Sequence, residues 1–266
     1  MTVIANLSEC KLIETKLFLP EQQLARDNYL QIQRTIQGIG GAWNRKEQAF
    51  VFDSDPSSLW ARVLAGEQID LLREFKKRTQ FFATPKEVVR QMMDYFDIGA
   101  GYAVLEPSAG DGGIADVLLE EFSTFPWTLH AVEQEETLRN ILVRKGYTVV
   151  GENFMELLAM PLYDLIVANP PFSKGQDMLH IMQMIKHLKP GGRIVSLMRD
   201  IELDDKRIRD AKPKELTYQG RIHKQFIEFL DNYGFYSTEK VPAGAFSESG
   251  TSIATQVFVI DRPLYD

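Results

Sequence analysis

From Lys86 onward the chain alternates helix-period and strand-period segments, and this alternation restricts the possible folds more than any other feature of the sequence. KEVVRQMMDYFD (86–97), GGIADVLLEEF (112–122), EETLRNILVRKG (135–146), QDMLHIMQMIKHL (176–188) and RIHKQFIEFLDNYG (221–234) predict helices. AVLEP (103–107), TLHAVE (128–133), TVVG (148–151), YDLIVAN (163–169) and GRIVSLM (192–198) are short apolar runs between them and predict buried strands. FYSTEKV (235–241) and SIATQVFVI (252–260) predict a closing antiparallel pair. A βαβα order of this kind implies an α/β fold with a doubly wound, mainly parallel sheet, whose ligands bind beyond the carboxyl ends of the strands.

The first 78 residues follow a different pattern and predict a small α+β extension. PEQQLARDNYLQIQRTIQ (20–37) has helical character, with Pro20 suited to a first turn and Gly38, Gly40 and Gly41 to end it. AWNRKEQAFVF (42–52) predicts two short strands around the polar tip 44–47. SLWARVLAG and EQIDLLREFKKR (58–78) predict helices ending in the cluster Arg73, Lys76, Lys77 and Arg78. The boundary falls near Thr79, giving domains 1–78 and 79–266.

Charge divides at nearly the same place. The formal net charge is −7 and the sequence pI near 5.3, which argues against broad nonspecific attraction to nucleic acid. Yet residues 1–84 hold 11 Lys+Arg against 10 Asp+Glu, leaving 19 against 27 for the rest, so the acidity belongs to the second part. A single cysteine, Cys10, excludes an internal disulfide framework and multi-cysteine metal sites, and the four dispersed histidines show no ligand spacing, so no metal is expected. No run approaches the 18 apolar residues of a membrane span and the first residues lack a basic stretch leading into an apolar one, which predicts a cytoplasmic protein with no membrane partner.

Two segments at predicted strand ends carry the chemistry. The first strand runs into Glu106-Pro107-Ser108-Ala109-Gly110-Asp111-Gly112-Gly113 and then a helix; small residues let the backbone approach a ligand, and the helix start supplies free N–H groups. The spacing is not GxGxxG, which disfavours a dinucleotide. Glu133, 27 residues after Glu106, ends the next strand, where a carboxylate can accept hydrogen bonds from ribose hydroxyls, so a nucleoside-containing cofactor is expected. Asn169-Pro170-Pro171-Phe172 follows the fourth strand, with the prolines stiffening the turn. The Asn169 carboxamide oxygen and the Pro170 carbonyl can accept both hydrogens of an exocyclic amine while Phe172 offers an aromatic face to a planar ring.

Together these segments resemble the amino-group DNA methyltransferases that use S-adenosyl-L-methionine, which implies a Rossmann-like methyltransferase fold and residues 79–266 as the catalytic domain. NPPF is similar to that family's catalytic motif and EPSAGDGG to its cofactor loop. QFFATP (80–85) is similar to the family's FxTP segment, which implies that Thr84 and Pro85 lie at the methionine end of the cofactor. GENF (151–154) is similar to the motif whose acidic residue binds the adenine amine; Asn153 occupies that position here, beside Phe154, with Glu152 as the substitute. LKPGGRI (188–194) resembles the turn before strand five. AFSESGTS (245–252) resembles the loop whose aromatic residue packs the other face of a flipped base, implying Phe246 with Ser249 on the substrate side. The motif order resembles the gamma subgroup of N6-adenine enzymes.

The resemblance implies methyl transfer to the amine of an adenine flipped out of DNA, with a short or relaxed target sequence and the restriction-modification context of such enzymes. It leaves open adenine N6 or guanine N2 in RNA, glutamine in protein, and a catalytically silent nucleic-acid-binding subunit. Gamma enzymes usually carry a recognition domain after the final hairpin, and Asp266 stands six residues after Ile260. Recognition is therefore expected from residues 1–78, with Arg45 and Lys46 at a hairpin tip, or from 199–224, where 8 Lys+Arg stand against 6 Asp+Glu. The sequence sets no oligomeric state.

Overall fold

The computed structural model describes residues 7–20, 22, 24–52, 55–67, 82–247 and 249–264. The chain divides into two compact units, Met1–Phe81 and Phe82–Asp266.

Among the described residues the first unit comprises two β-hairpins and two helices. β1 (Lys11–Ile13) pairs with β2 (Lys16–Phe18), α1 spans Arg26–Gly38, β3 (Ala42–Asn44) pairs with β4 (Ala49–Val51), and α2 spans Ser57–Leu64. β2 and β4 join the hairpins into one antiparallel sheet of order β1-β2-β4-β3. Leu17, Ile32, Ile36, Phe50, Phe52 and Trp60 form its core. The hairpin at 42–52 matches the expectation, with the Asn44 side chain bridging its tip. The β1–β2 hairpin was not anticipated: its Glu14-Thr15 turn has Glu14 at φ +53 without the glycine or asparagine that normally signals such a turn. Pro20 is not in the first turn of α1, which starts at Arg26 behind an extended Ala25. Residues 68–78, including Arg73, Lys76, Lys77 and Arg78, lie outside the described residues.

The second unit is the expected doubly wound, mainly parallel α/β sheet. In chain order it comprises α3 (Lys86–Met93), β5 (Ala103–Glu106), α4 (Gly113–Glu121), β6 (Thr128–Val132), α5 (Glu136–Arg144), β7 (Thr148–Gly151), β8 (Tyr163–Ala168), α6 (Gln176–Met184), β9 (Leu188–Arg199), α7 (Lys206–Asp210), α8 (Tyr218–Tyr233), β10 (Tyr236–Lys240) and β11 (Thr255–Asp261). The strand order is β10-β11-β9-β8-β5-β6-β7, with β9, β8, β5, β6 and β7 parallel and β11 antiparallel to both its neighbours.

The two-residue period of the strands sorts their side chains between the faces. Leu105, Ile166, Ile194 and Met198 pack against Met178 and Ile181 of α6 and Ile222 and Phe226 of α8. Val104, Leu165, Val167, Val195 and Leu197 face Val88 and Met92 of α3 and Ile114 and Leu118 of α4. Both faces are covered, which is why these strands read as continuous apolar runs.

Two boundaries differ from expectation. LKPGGRI is not a turn preceding β9 but part of it: Tyr163 pairs with Leu188 and Leu165 with Arg193, so the intervening residues form a bulge, with Gly191 at φ +78. Helix α8 starts before Arg221 because the Thr217 hydroxyl accepts from the Gly220 N–H at 3.1 Å and caps it. The sheet order reverses between β5, which leads outward to β6 and β7, and β8, which leads to β9. A crevice at the carboxyl ends of strands flanking such a switch point is where ligands bind, and EPSAGDGG and NPPF follow β5 and β8.

Candidate active site

The loop after β5 is shaped by its glycines. Gly110 and Gly112 have φ of +57 and +90, and Gly112 caps α4. A Cβ on Gly112 would stand 2.9 Å from the Tyr147 ring and 3.1 Å from Leu142, so both its backbone angle and its surroundings demand glycine. The Ala109 N–H donates to Val132 at 3.0 Å and the Gly112 N–H to Ala109 at 2.8 Å, closing the turn. Pro107 is buried, Ser108 and Asp111 half-buried.

Acidic groups surround this loop. Glu106 is 1% exposed and accepts from the Ala115 N–H at 3.1 Å. Burial pushes its carboxyl well above the ordinary range, and the nearby charges of Asp111, Glu133 and Asp116 add to the effect. Glu133 accepts from the Gly110 N–H and the Glu135 N–H, each at 2.8 Å and on a different oxygen. Burial raises its pKa too, opposed by those two hydrogen bonds. Each Glu133 oxygen retains a second lone pair for a ligand hydroxyl.

At the carboxyl end of β8, the Asn169 side chain is fixed by a segment 85 residues earlier. Its Nδ2 donates to Thr84 Oγ1 at 3.0 Å and to the Phe82 carbonyl at 3.4 Å. A carbonyl only accepts, so the NH2 must face Phe82, and Oδ1 is left as an acceptor with no donor to it among the described residues. Ser249 Oγ donates to the Ala83 carbonyl at 2.6 Å, tying the loop 245–252 to the same segment. Pro85 is the extended residue preceding α3. A Cβ on Gly113 would meet the Thr84 carbonyl at 3.6 Å, so the loop after β5 also borders this segment. Four stretches singled out in the sequence, at 82–85, 106–113, 169–172 and 249, are thereby brought together. Pro170 is buried, and Pro171 and Phe172 are half-buried.

Other expected site residues are placed differently. Phe246 is 5% exposed within the apolar cluster around Val88 and Val257, so the face expected to stack on a base is covered. Asn153 is not a free acceptor: its Oδ1 caps the turn 154–156 by accepting from the Met155 N–H at 3.1 Å, and its Nδ2 donates to Glu156 at 2.7 Å. Glu152 lies 3.5 Å from Arg139. Phe154 is a core residue, its ring between His180 and His187. Arg45 and Lys46 are exposed at the β3–β4 tip in the first unit. In the stretch 199–224 three of the eight cations are ion-paired: Arg199 pairs with Asp177, Arg207 with Asp205, and Arg209 with Asp204 and Asp231, while Lys224 donates to the carbonyls of Arg209 and Ala211.

His180 was not anticipated at the site. It is 7% exposed, and its Nδ1 lies 3.3 Å from Ser108 Oγ on the loop after β5. The signal was present: Asp177 and His180, three apart on α6, interrupt an otherwise apolar buried stripe with polar groups. Burial lowers the His180 pKa to about 4 and shifts His187 in the same direction. The unfolded chain therefore takes up protons below its ordinary histidine pKa while the folded one does not, so stability present above pH 6.5 is lost as pH falls from there towards 4. The loss attributable to His180 is about 3 kcal/mol; Glu106, whose pKa is raised, acts oppositely as it protonates. Urea denaturation between pH 7 and 4 is expected to show a smaller decline for His180→Asn than for the unaltered protein, and parallel curves would refute the assignment.

The sheet topology defines a fold class: the second unit has the Rossmann-like fold of the S-adenosylmethionine-dependent methyltransferases. No family model matches the chain. Among curated proteins it is 28% identical over 157 residues to the modification methylase CviBIII of Paramecium bursaria Chlorella virus NC1A, covering 50% of this chain and 41% of that one. A solved structure described as a modification subunit of a type I restriction enzyme from Vibrio vulnificus YJ016 is similar over 92% of this chain and 55% of its own, at 18% identity and a TM-score of 0.52. TrmN from Thermus thermophilus matches 72% of this chain and 53% of its own, at 19% identity and a TM-score of 0.46. The chain thus spans about half or less of the length of these proteins.

Proposed function

We propose that this protein transfers a methyl group from S-adenosyl-L-methionine to the N6 amine of an adenine in DNA. The observation that carries this reading is the orientation of Asn169, whose amide donors are held by Phe82 and Thr84 so that Oδ1 remains as an acceptor with no donor to it among the described residues. The likeness to a modification methylase supports DNA as the acceptor.

The loop after β5 suits the cofactor by charge and by shape. The carboxylates of Asp111 and Glu133 at this loop disfavour a pyrophosphate and favour a ligand bearing sulfonium and ammonium groups, and glycine backbone at 110 and 112 leaves room for close approach. Thr84, Pro85, 106–112 and Glu133 would hold it, with Glu133 accepting from the ribose hydroxyls. When bound, the cofactor supplies an electrophilic methyl group. Asn153 and Phe154 are left out of this set, being committed to a local cap and to the core.

Adenine's amine is a poor nucleophile because its lone pair is delocalised into the ring. Two rigid acceptors, Asn169 Oδ1 and the Pro170 carbonyl, favour a more tetrahedral nitrogen with its lone pair free to attack. They also stabilise the developing positive charge without reorganising. Phe172, half-buried beside the turn, provides a stacking face for a base flipped out of the duplex; flipping costs a few kcal/mol, which stacking and the amine hydrogen bonds offset.

Incubation with labelled cofactor and separate DNA, RNA and protein acceptors, followed by nucleoside analysis, tests the reading: N6-methyladenine in DNA is expected, and label confined to RNA or protein would overturn it. Glu133→Ala is expected to weaken cofactor binding by about tenfold to a hundredfold, the loss of one or two hydrogen bonds to a charged acceptor. Calorimetric titration measures this, and an unchanged affinity would remove Glu133 from the cofactor site.

A further inference from the structure

We infer that Lys174 holds a backbone phosphate of the nucleic acid strand whose base enters the Asn169 site, an inference that rests on the function proposed above. Three non-glycine residues among those described have positive φ: Glu14 and Gln48, in the two hairpin turns of the first unit, and Lys174 at φ +52, ψ +21. An L-residue pays a steric penalty in this left-handed region that glycine avoids. Lys174 sits between the NPPF turn and α6, and strain kept in such a place points to a function for the side chain.

The residue after it is fixed by packing. Gly175, also left-handed at φ +81, is buried so tightly that a Cβ there would stand 3.1 Å from Ile222 and 3.2 Å from Met178. Lys174, the residue before this buried glycine, is exposed. Among the described residues its ammonium has no hydrogen bond or ion pair. Its acidic neighbour Asp177 is saturated by Arg199, and Ser173 Oγ donates to Gln176. Lys174 comes five positions after Asn169, a span of at most about 18 Å and less through a turn, which is compatible with contact to the phosphates flanking a nucleotide whose base is at Oδ1. Arg199, Arg207 and Arg209 of the stretch 199–224 are held in internal ion pairs, whereas Lys174 stands beside the NPPF turn itself.

The test uses two substitutions that separate strain from charge. Lys174→Gly removes both and is expected to raise Tm by about 2 °C, a gain from relieving the left-handed residue, while raising the KM for unmethylated plasmid DNA several-fold at 150 mM salt. Lys174→Gln keeps the strain and removes the charge, and is expected to raise that KM similarly without raising Tm. In both variants the slope of log KM against log salt is expected to fall by about 0.9, the contribution of one phosphate contact on duplex DNA. Cofactor affinity is expected to be unchanged, and Lys174→Arg to restore KM and slope. A Lys174→Gln variant with unaltered KM and salt slope would overturn the inference, as would a Lys174→Gly variant with lowered Tm. Failure of the unaltered protein to methylate DNA would overturn the proposed function itself, and the inference with it; the same assay reports that separately.

Discussion

Asn169→Ala is expected to lower the single-turnover rate of methyl transfer by about a hundredfold to a thousandfold, the range seen when one preorganised polar contact to a transition state is removed, with cofactor affinity changed little. The amine would lose one of its two acceptors, and the remaining Pro170 carbonyl cannot by itself hold the nitrogen in a tetrahedral geometry. A second variant tests whether orientation matters as well as presence. Thr84→Val removes the 3.0 Å acceptor of the Asn169 amide while leaving the Phe82 carbonyl, so it is expected to lower kcat by about tenfold, roughly one neutral hydrogen bond, with Thr84→Ser restoring most of it. Quenched-flow transfer and calorimetric cofactor binding, measured in parallel, separate the two quantities. Wild-type rates for Asn169→Ala would remove that residue from the chemistry.

Arg199→Leu is expected to produce the largest loss of stability. Asp177 is fully buried, and the Arg199 backbone N–H, Nε and Nη2 each donate to its carboxylate at 3.1 Å. Removing the guanidinium leaves a buried carboxylate without its counter-charge, at a cost of about 3–5 kcal/mol. In a protein of this size that corresponds to a Tm lower by roughly 6–20 °C. Asp177→Asn combined with Arg199→Leu is expected to recover much of the loss, because replacing both ends of a buried pair costs far less than removing one. Calorimetric melts of the single and double variants decide the matter: a drop below about 2 °C for Arg199→Leu would show that the pair is not stabilising.

The second unit was legible because periodicity and packing agree. Strands covered on both faces read as apolar runs, and glycine and proline mark the turns after β5 and β8. What the sequence withheld was set by distant contacts or by unmarked turns. The Glu14-Thr15 turn carries no glycine or asparagine, and the bulge in β9 reads as an ordinary turn because it contains Pro190-Gly191-Gly192. Asn169 was identifiable as an acceptor, but its orientation depends on Thr84, far away in the chain. Phe246 resembled a stacking residue and is covered by side chains from other elements. Asn153 could have been read more simply, since an asparagine just before a helical turn is a common cap. The stretch 199–224 looked mildly basic because pairs such as Arg209 with Asp231 are invisible to a local charge count.

The position of β11 has a consequence for biogenesis. This strand lies inside the sheet, pairing Thr255 with Arg199 and Asp261 with Arg193, although Thr255 comes 56 positions after Arg199. During translation at about 5–20 residues per second, β9 would leave the ribosome roughly 3–11 s before its partner is made. For that interval an apolar strand edge stands open, the kind of surface that recruits chaperones or seeds aggregation. Yield in a cell should therefore depend on how fast the segment between these strands is translated, and slow codons placed there would lower the soluble fraction without altering the finished fold.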